Sequence, residues 1–285
     1  MSYTYEYPQP ALTADCVIYG FDGEHLKILL VERGLEPYKG MWALPGGFMQ
    51  INETIDQAAA RELREETGLK DVYMTQFRMF SEPDRDVRKG RVDPDSGKDY
   101  DSYRVVTMAF IALVRPSEYE LVAGDDAVNA LWFEARHLPP LAFDHGRIID
   151  EANEYLKEQL RLKPIFSKLL NKNFSMGELQ RLFEDINDTT YDRRNFQRKA
   201  LKSTMVGEVQ DDASLEADSD CPVLHEEDCI ICCESEADYV PHRESPLRTS
   251  RPGRKPNRMF TFLNKLVSKD RADDSDSSIR DIFNY

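Results

Sequence analysis

Two apolar runs near the start of the chain predict a β-hairpin. The runs CVIYGF and LKILLVER are separated by DGEH, and an Asp-Gly pair between two apolar runs is typical of a tight turn. Later apolar runs also predict strands, and YRVVTMAFIALV gives the strongest signal because it is rich in β-branched and aromatic residues. These later predicted strands are MWALPGGF, VYMTQFRMF, YRVVTMAFIALV and ALWFEARH. The first of them is interrupted by Pro-Gly-Gly at 45–47.

Apolar positions at helical spacing predict two helices among these strands. The first runs from about Thr54 to Thr67, and Gly68 stands where a helix commonly ends. Its shared apolar face consists of Ile55, Ala58, Ala59 and Leu63. The segment DHGRIIDEANEYLKEQL is amphipathic and predicts a second helix, which closes the first unit near residue 162. Strands flanked by a few helices predict an α/β three-layer sandwich.

A second unit begins after Pro164, where the pattern changes to two short helices. Ser175 is followed three residues later by Glu178, so a capping box predicts a helix in SMGELQRLFEDI. The segment DRRNFQRKALKS predicts a second helix, with Phe196 and Leu201 in the core. Two helices joined by a short turn are typical of a helix-turn-helix.

Composition and charge change this picture only in part. The 285-residue chain is 41% hydrophobic and has a net charge of −15, which by itself argues against nucleic acid as a partner. The charge is unevenly distributed, with acid at 208–238 and base at 193–202 and 248–258. No apolar run approaches the ~20 residues of a membrane span, and the N-terminus lacks a signal-peptide pattern. We therefore predict a cytoplasmic protein without a membrane partner.

The five cysteines are odd in number and do not resemble a disulfide framework. Cys229 and Cys232 have the spacing of a zinc pair. Other candidate ligands nearby are Cys221, His225, Cys233 and His242. Because one such pair in an acidic, weakly periodic segment is a weak signal, free thiols are favoured over a structural metal.

Three glutamates on the first helix are candidate ligands for a metal ion. Glu62 and Glu66 are four residues apart and Glu65 lies between them, so the three carboxylates share one helix face and repel each other. A hard divalent cation would reverse that cost, because Mg²⁺ binds carboxylate oxygens. Arg61 is expected to pair with Glu53 if the loop folds back on the helix. The alternative for such a charge run is a solvated helix face.

The spacing around these glutamates resembles the Nudix box. It is Gly47, five residues, Glu53, seven residues, Arg61-Glu62-Leu63, one residue, Glu65-Glu66, one residue and Gly68-Leu69. The resemblance implies hydrolysis of nucleoside diphosphate derivatives with Mg²⁺ or Mn²⁺. It implies metal ligands at Glu62, Glu65, Glu66 and Gly47, and catalytic roles for Glu53, Arg61 and Glu65.

The second unit resembles the winged helix of Nudix-related transcriptional regulators. In that group the Nudix domain binds a ligand such as ADP-ribose, and the winged helix binds operator DNA, usually as a homodimer. The segment PDRDVR resembles its loop before a strand and implies a substrate contact from Arg85. DNA contacts are implied for Arg193, Arg194, Asn195, Arg198 and Lys199, with Lys202 on the same helix. The alternative is a basic amphipathic helix without DNA.

Together these features predict a Nudix α/β/α sandwich with a mixed sheet at 8–162, followed by a winged helix at 163–265. A flexible acidic insertion at 208–245, a shorter one at about 89–102 and a disordered tail at 266–285 complete the prediction. The intact box favours a Mg²⁺-dependent pyrophosphohydrolase that acts on or senses ADP-ribose. The alternative is a regulator of NAD or sugar metabolism in which the Nudix domain is only a sensor.

Overall fold

The computed structural model describes residues 10–83, 85, 104–119, 127–162, 165–203, 206–209 and 258–262. The predicted tail, the shorter insertion and the cysteine–histidine group around Cys229 and Cys232 lie outside these residues. So does the longer predicted insertion from residue 210 onward, although its first residue, Glu208, ends a strand.

Seven strands of the described part form one mixed sheet, which confirms the predicted α/β class. Their bounds are β1 Ala11–Phe21, β2 Leu26–Arg33, β3 Trp42–Ala43, β4 Gly46–Phe48, β5 Met74–Phe80, β6 Val105–Val114 and β7 Ala127–Glu134. The main order is β3-β2-β1-β6-β5, while β4 also pairs with β1 and β7 with β2. The central pair, β1 and β6, is parallel.

The predicted hairpin and the helices of the first unit are confirmed. β1 and β2 are antiparallel and join through the turn at 22–25. Helix α1 spans Ile55–Thr67, with Thr54 in a capping box and Gly68 in the left-handed conformation at its end. Helix α2 spans His145–Leu162.

One strand prediction is corrected by the structure. The segment MWALPGGF forms two strands, because the chain leaves one neighbour at Leu44 and Pro45 and joins another at Gly46, so the two glycines predicted as an interruption lie within β4. β3 pairs with β2, whereas β4 pairs with β1. This step places the two glycines beside the middle of the sheet.

Both faces of β1 are buried, since its side chains alternate between two cores. Val17, Tyr19 and Phe21 face a core that includes α2. Ala14, Cys16 and Ile18 face a second core that includes Ala58, Ala59 and Leu63 of α1. The helices therefore cover opposite faces of the sheet, as in the predicted sandwich.

The second unit has the helices and strands of a winged helix. Helix α3 spans Met176–Asn187 and begins with the predicted capping box at Ser175, and helix α4 spans Arg193–Lys202. Three short strands form an antiparallel sheet in the order β8-β10-β9. They are β8 Phe174–Ser175, β9 Val206–Glu208 and β10 Met259–Phe262.

The predicted burial of α4 is right at one position and wrong at another. Phe196 is buried, but Leu201 is 41% exposed. The buried face passes through Phe196 and Ala200, which are four residues apart. Leu201 lies one residue further and about 100° around the helix, so it faces outward.

The two units share a continuous core. The core on the α2 side of the sheet also contains Leu182, Phe183 and Phe260 of the second unit. Among the described residues, no helix is both long enough and apolar enough to cross a membrane.

The β1–β2 hairpin docks on α3 through polar contacts. The N–H of Leu26 donates to Oδ2 of Asp185 at 2.7 Å, and Nε of Arg181 donates to the carbonyl of Gly23 at 3.0 Å. Arg115, which directly follows β6, donates to the carbonyls of Ser167 and Leu170 at 3.0 and 2.7 Å. The first two bonds fix α3 against the hairpin, and the bonds from Arg115 hold the segment that precedes α3.

Candidate active site

Arg61 lies at the centre of the charged cluster on α1. Its guanidinium donates two hydrogen bonds to Glu53, from Nε to Oε2 at 3.0 Å and from Nη2 to Oε1 at 2.7 Å. Its Nη1 donates to Glu62 at 2.7 Å and to Glu65 at 3.0 Å. Nη2 also donates to the carbonyl of Phe48 at 3.0 Å. The expected contact between Arg61 and Glu53 is present, and it holds the loop after β4 against the helix.

Gly46 and Gly47 bring bare main chain against two of the glutamates. The N–H of Gly46 donates to Oε2 of Glu66 at 2.8 Å. A Cβ on Gly47 would lie 2.4 Å from Oε1 of Glu62. A Cβ on Gly46 would lie 2.1 Å from the carbonyl oxygen of Ala14, the strand neighbour. Larger residues at either position would therefore displace a carboxylate or the sheet itself.

Burial and mutual repulsion destabilise the ionised forms of Glu62 and Glu66. Burial raises the pKa of Glu66 to about 8, and the charges of Glu62 and Asp15 add to this while the Gly46 N–H opposes it. Burial likewise raises the pKa of Glu62, against the hydrogen bond from Arg61. The same arginine lowers the pKa of Glu53 by hydrogen bonding. Arg61 thus stabilises the negative charge of Glu53, whereas the negative charge of Glu66 lacks such a partner in Arg61.

The donor chemistry of this cluster fits a hard divalent cation. Carboxylate and carbonyl oxygens are the ligands that Mg²⁺ and Mn²⁺ prefer. Within the described ranges, no three acidic, histidine or cysteine side chains already converge as a metal-holding group. The reason is visible in the contacts, since Arg61 draws Glu62 and Glu65 towards itself and Gly46 holds Glu66. The side chain of Glu65 is 51% exposed, so it lies at the rim of the cluster.

Arg85 is held by a second group of acids beside the cluster. It donates to both carboxylate oxygens of Asp144, at 3.1 and 2.8 Å, and its Nη2 lies 3.5 Å from Oδ2 of Asp15. Its side chain is only 7% exposed. Asp15 pairs with Gly46 in the β1–β4 ladder, so this group adjoins the glycine loop. Arg85, the candidate substrate-binding residue, is therefore held in a buried, bidentate ion pair with Asp144.

Asp15 and Asp144 were not predicted from the sequence. Asp15 carries a usable signal, because an acid inside a buried apolar strand requires a partner. Asp144 has no comparable signal, since it stands in an ordinary turn before α2. The next residue, His145, is buried and accepts a hydrogen bond at Nδ1 from the N–H of Leu44 at 2.8 Å.

The candidate DNA-contacting residues lie on α4, mostly on its outer face. Arg193, Arg194 and Arg198 are exposed, whereas Asn195 and Lys199 are half-buried. Oδ1 of Asn195 accepts a hydrogen bond from Arg198 at 2.9 Å. The helix thus presents a basic surface, on which Asn195 would have to exchange one partner to contact a base.

Comparisons with known proteins match two domain models to the chain. The NUDIX domain model matches residues 9–152, and the NrtR DNA-binding winged helix domain model matches residues 166–217. An ADP-ribose pyrophosphatase of Methanocaldococcus jannaschii is 39% identical over 145 residues, which is 51% of this chain and 74% of that protein. The ADPR responsive transcriptional repressor NtrR of Acinetobacter baylyi is 28% identical over 207 residues, 72% of this chain and 77% of that protein.

Solved structures extend the likeness across both units. Shewanella oneidensis NrtR is 26% identical and superposes with a TM-score of 0.53, covering 69% of this chain and 86% of that chain. The same protein complexed with a 27mer DNA gives a TM-score of 0.51, again at 26% identity, covering 69% of this chain and 85% of that chain. An intact box, a Nudix sandwich and a matching domain model lead to one conclusion: the chain belongs to the Nudix family, with an NrtR-type winged helix joined to its Nudix domain.

Proposed function

We propose that this chain is a Nudix pyrophosphohydrolase that acts on, or senses, ADP-ribose or a related nucleoside diphosphate derivative. The observation that carries the proposal is the acid cluster of α1, gathered by Arg61 and lying against the glycine loop. The relative in Methanocaldococcus jannaschii, an ADP-ribose pyrophosphatase, supports the substrate class. A cytoplasmic location belongs to the same proposal.

In this scheme the residues of the cluster divide into metal ligands and residues that position them. Glu62, Glu65 and Glu66, with the backbone of Gly47, would hold Mg²⁺ or Mn²⁺. When bound, the metal would neutralise the diphosphate charge and activate the attacking water. Arg61 positions the glutamates, and Glu53 positions Arg61 in turn through its two hydrogen bonds. Arg85 would contact a phosphate after exchanging part of its bond with Asp144 or Asp15.

Replacing Glu66 by Gln tests the enzymatic part of the proposal. The change keeps a hydrogen-bond acceptor for the Gly46 N–H but removes the charge needed to hold a cation. We expect AMP release from ADP-ribose and Mg²⁺ to fall by a hundredfold or more, on the order of the loss when a group that stabilises developing charge is removed.

Glu158→Gln, on α2 and away from the cluster, serves as the matched control and should keep full turnover. If wild-type protein releases no AMP from ADP-ribose or from a panel of related nucleotides, the catalytic interpretation is wrong. A sensor would then still bind ADP-ribose without cleaving it, and calorimetry on the same samples separates the two cases.

We propose operator DNA as a second partner, bound by α4 of a homodimer. The exposed arginines on this helix and the DNA complex of Shewanella oneidensis NrtR favour this over a merely solvated basic face. A helix-turn-helix reader usually dimerises to match two half-sites. The molar mass from light scattering would test the dimer.

Arg194→Ala tests the DNA contact on DNA from upstream of the protein's own gene. Loss of one phosphate contact should weaken binding to all sequences and reduce the slope of log K against log[salt] by about 0.9. Asn195→Ala should instead weaken operator binding by about 1–3 kcal/mol, with less effect on unrelated DNA. Lys157→Ala removes a positive charge from α2, outside the proposed DNA-binding helix, and should leave DNA binding unchanged. Binding that ignores sequence, ADP-ribose and both substitutions would contradict the regulatory interpretation.

A further inference from the structure

Two aromatic residues beside the acid cluster have backbone conformations that bulky side chains rarely adopt. Tyr38 has φ of 67° and Phe143 has φ of 54°. The other non-glycine residues with positive φ in the described ranges are Asp71 and Asp188, a residue type that tolerates the left-handed region. Strained residues of this kind cluster at ligand clamps and active sites, where the surrounding structure holds them in place.

The surrounding structure does hold both residues firmly. Met41 donates from its N–H to the carbonyl of Tyr38 at 3.0 Å, which closes the loop between β2 and β3. The N–H of Ala142 donates to the carbonyl of Trp42 at 2.8 Å, which fastens the segment before α2 to β3. Two segments about a hundred positions apart in sequence thus bring the two aromatic rings together.

The two rings contact each other and a cation, and Tyr38, Phe143 and Arg33 together are called the platform below. Tyr38 and Phe143 meet edge to face with centroids 5.0 Å apart. The guanidinium of Arg33 lies 4.8 Å from the centroid of Phe143. Phe143 also lies against the ring of His145, with centroids 5.3 Å apart, and both Tyr38 and Phe143 are half-buried, so each keeps some solvent-exposed surface.

The platform adjoins the candidate site by two routes. Phe143 precedes Asp144, which holds Arg85 in a bidentate pair, and Arg85 reaches Asp15 beside the glycine loop. Burial dominates the raised pKa of Glu66, and the charge of Arg33 is one of the effects that oppose it. The platform, a buried arginine and the acid cluster therefore lie next to each other.

We infer that Tyr38 and Phe143, with Arg33, form the nucleobase-binding part of the site. This inference rests on the proposed function, because the acid cluster would then hold the diphosphate of the same ligand. An aromatic face stacks on any base, and a guanidinium stacks on rings as well. The arrangement assigns specificity for a base-containing diphosphate to residues outside the box.

The test uses the full-length protein with Tyr38→Leu and Phe143→Leu. Each variant should bind ADP-ribose about tenfold more weakly or worse, as expected when a base loses one stacking partner. Inhibition by inorganic pyrophosphate, which has a diphosphate but no base, should stay within about twofold, because the acid cluster is untouched. The fluorescence of 1,N6-etheno-ADP-ribose should be quenched on binding to wild-type protein, and the quenching should be lost in the variants.

Conservative variants and a distant control separate stacking from packing. Tyr38→Phe and Phe143→Tyr keep the rings and should bind ADP-ribose like wild type. Phe77→Leu removes a partly buried ring outside the proposed site, one that meets Phe80 edge to face at 6.1 Å. This variant should bind ADP-ribose as wild type does.

The possible outcomes distinguish this inference from the proposed function. If the Leu variants bind and cleave ADP-ribose as wild type does, the platform is refuted while the enzymatic proposal stands. If wild type ignores ADP-ribose but binds another nucleotide through these two rings, the platform stands and the substrate is wrong. If no nucleotide in a panel of ADP-ribose, NAD, ATP and GDP binds, both fail.

Discussion

At the scale of single residues, the site depends on close approaches that only small or uncharged groups allow. Gly47 lies against the Glu62 carboxylate, and the neutral imidazole of His145 fits a buried position beside Leu44. Neither contact follows from the box pattern alone. Both lead to substitutions whose effects can be measured.

Gly47→Ala should disable the site without unfolding the domain. The new Cβ would meet the end of the flexible Glu62 side chain, which can move, instead of rigid main chain. We expect metal affinity or kcat/KM to fall roughly 10- to 100-fold, as for other changes next to metal ligands. The thermal midpoint should change little. Gly146→Ala, where a Cβ meets nothing within 4 Å, is the matched control, and equal effects of the two changes would contradict the prediction.

His145 should make the folded state sensitive to mild acid. Burial lowers its pKa, so the native state keeps it neutral while the unfolded chain takes up a proton near pH 6.5. Because the unfolded state then binds more protons, stability falls as the pH drops below about 6.5.

Denaturant unfolding of His145→Gln between pH 7 and pH 5 would check this. Wild type should lose stability more steeply than the variant, by up to about 1.4 kcal/mol per pH unit. His137→Gln, at a side chain that is 79% exposed, should follow wild type. Parallel curves for wild type and His145→Gln would rule out the effect.

At the scale of elements, helix α1 was predictable and the burial of helix α4 was not. A capping residue, an apolar stripe and a terminal glycine all agree for α1, so its bounds differ from the prediction only at Thr54, which caps the helix. In α4 the apolar residues are few, and Phe196 and Leu201 are five positions apart. That spacing fits one face poorly, and tertiary packing chose the Phe196–Ala200 face.

At the scale of the whole molecule, the two units are joined by a shared core and by a polar junction at Asp185. This carboxylate accepts from the N–H of Leu26 at 2.7 Å and is only 14% exposed. Leu26 begins β2, the hairpin partner of β1, and β1 is the strand that also pairs with Gly46. One strand therefore connects the candidate site with the first helix of the winged helix.

Asp185→Ala should weaken this junction. It leaves the Leu26 N–H without an acceptor, at a cost of about 1–3 kcal/mol in the free energy of unfolding. Asp185→Asn keeps an acceptor oxygen and should lose less. Asp188→Asn, at a side chain that is 80% exposed, should stay within about 0.5 kcal/mol of wild type. If all three variants unfold at the same denaturant concentration, Asp185 contributes nothing to the junction.

The sequence by itself determined the elements and the box, because capping, periodicity and residue spacing are local properties. No distant partner is needed to recognise the capping residue Thr54, the terminal Gly68 or the row of glutamates on α1. Only the tertiary structure decided which side chains meet around the box. Asp15, Arg85 and Asp144 come from three distant segments, as do Tyr38 and Phe143, and their contacts exist only once the sheet brings these segments together.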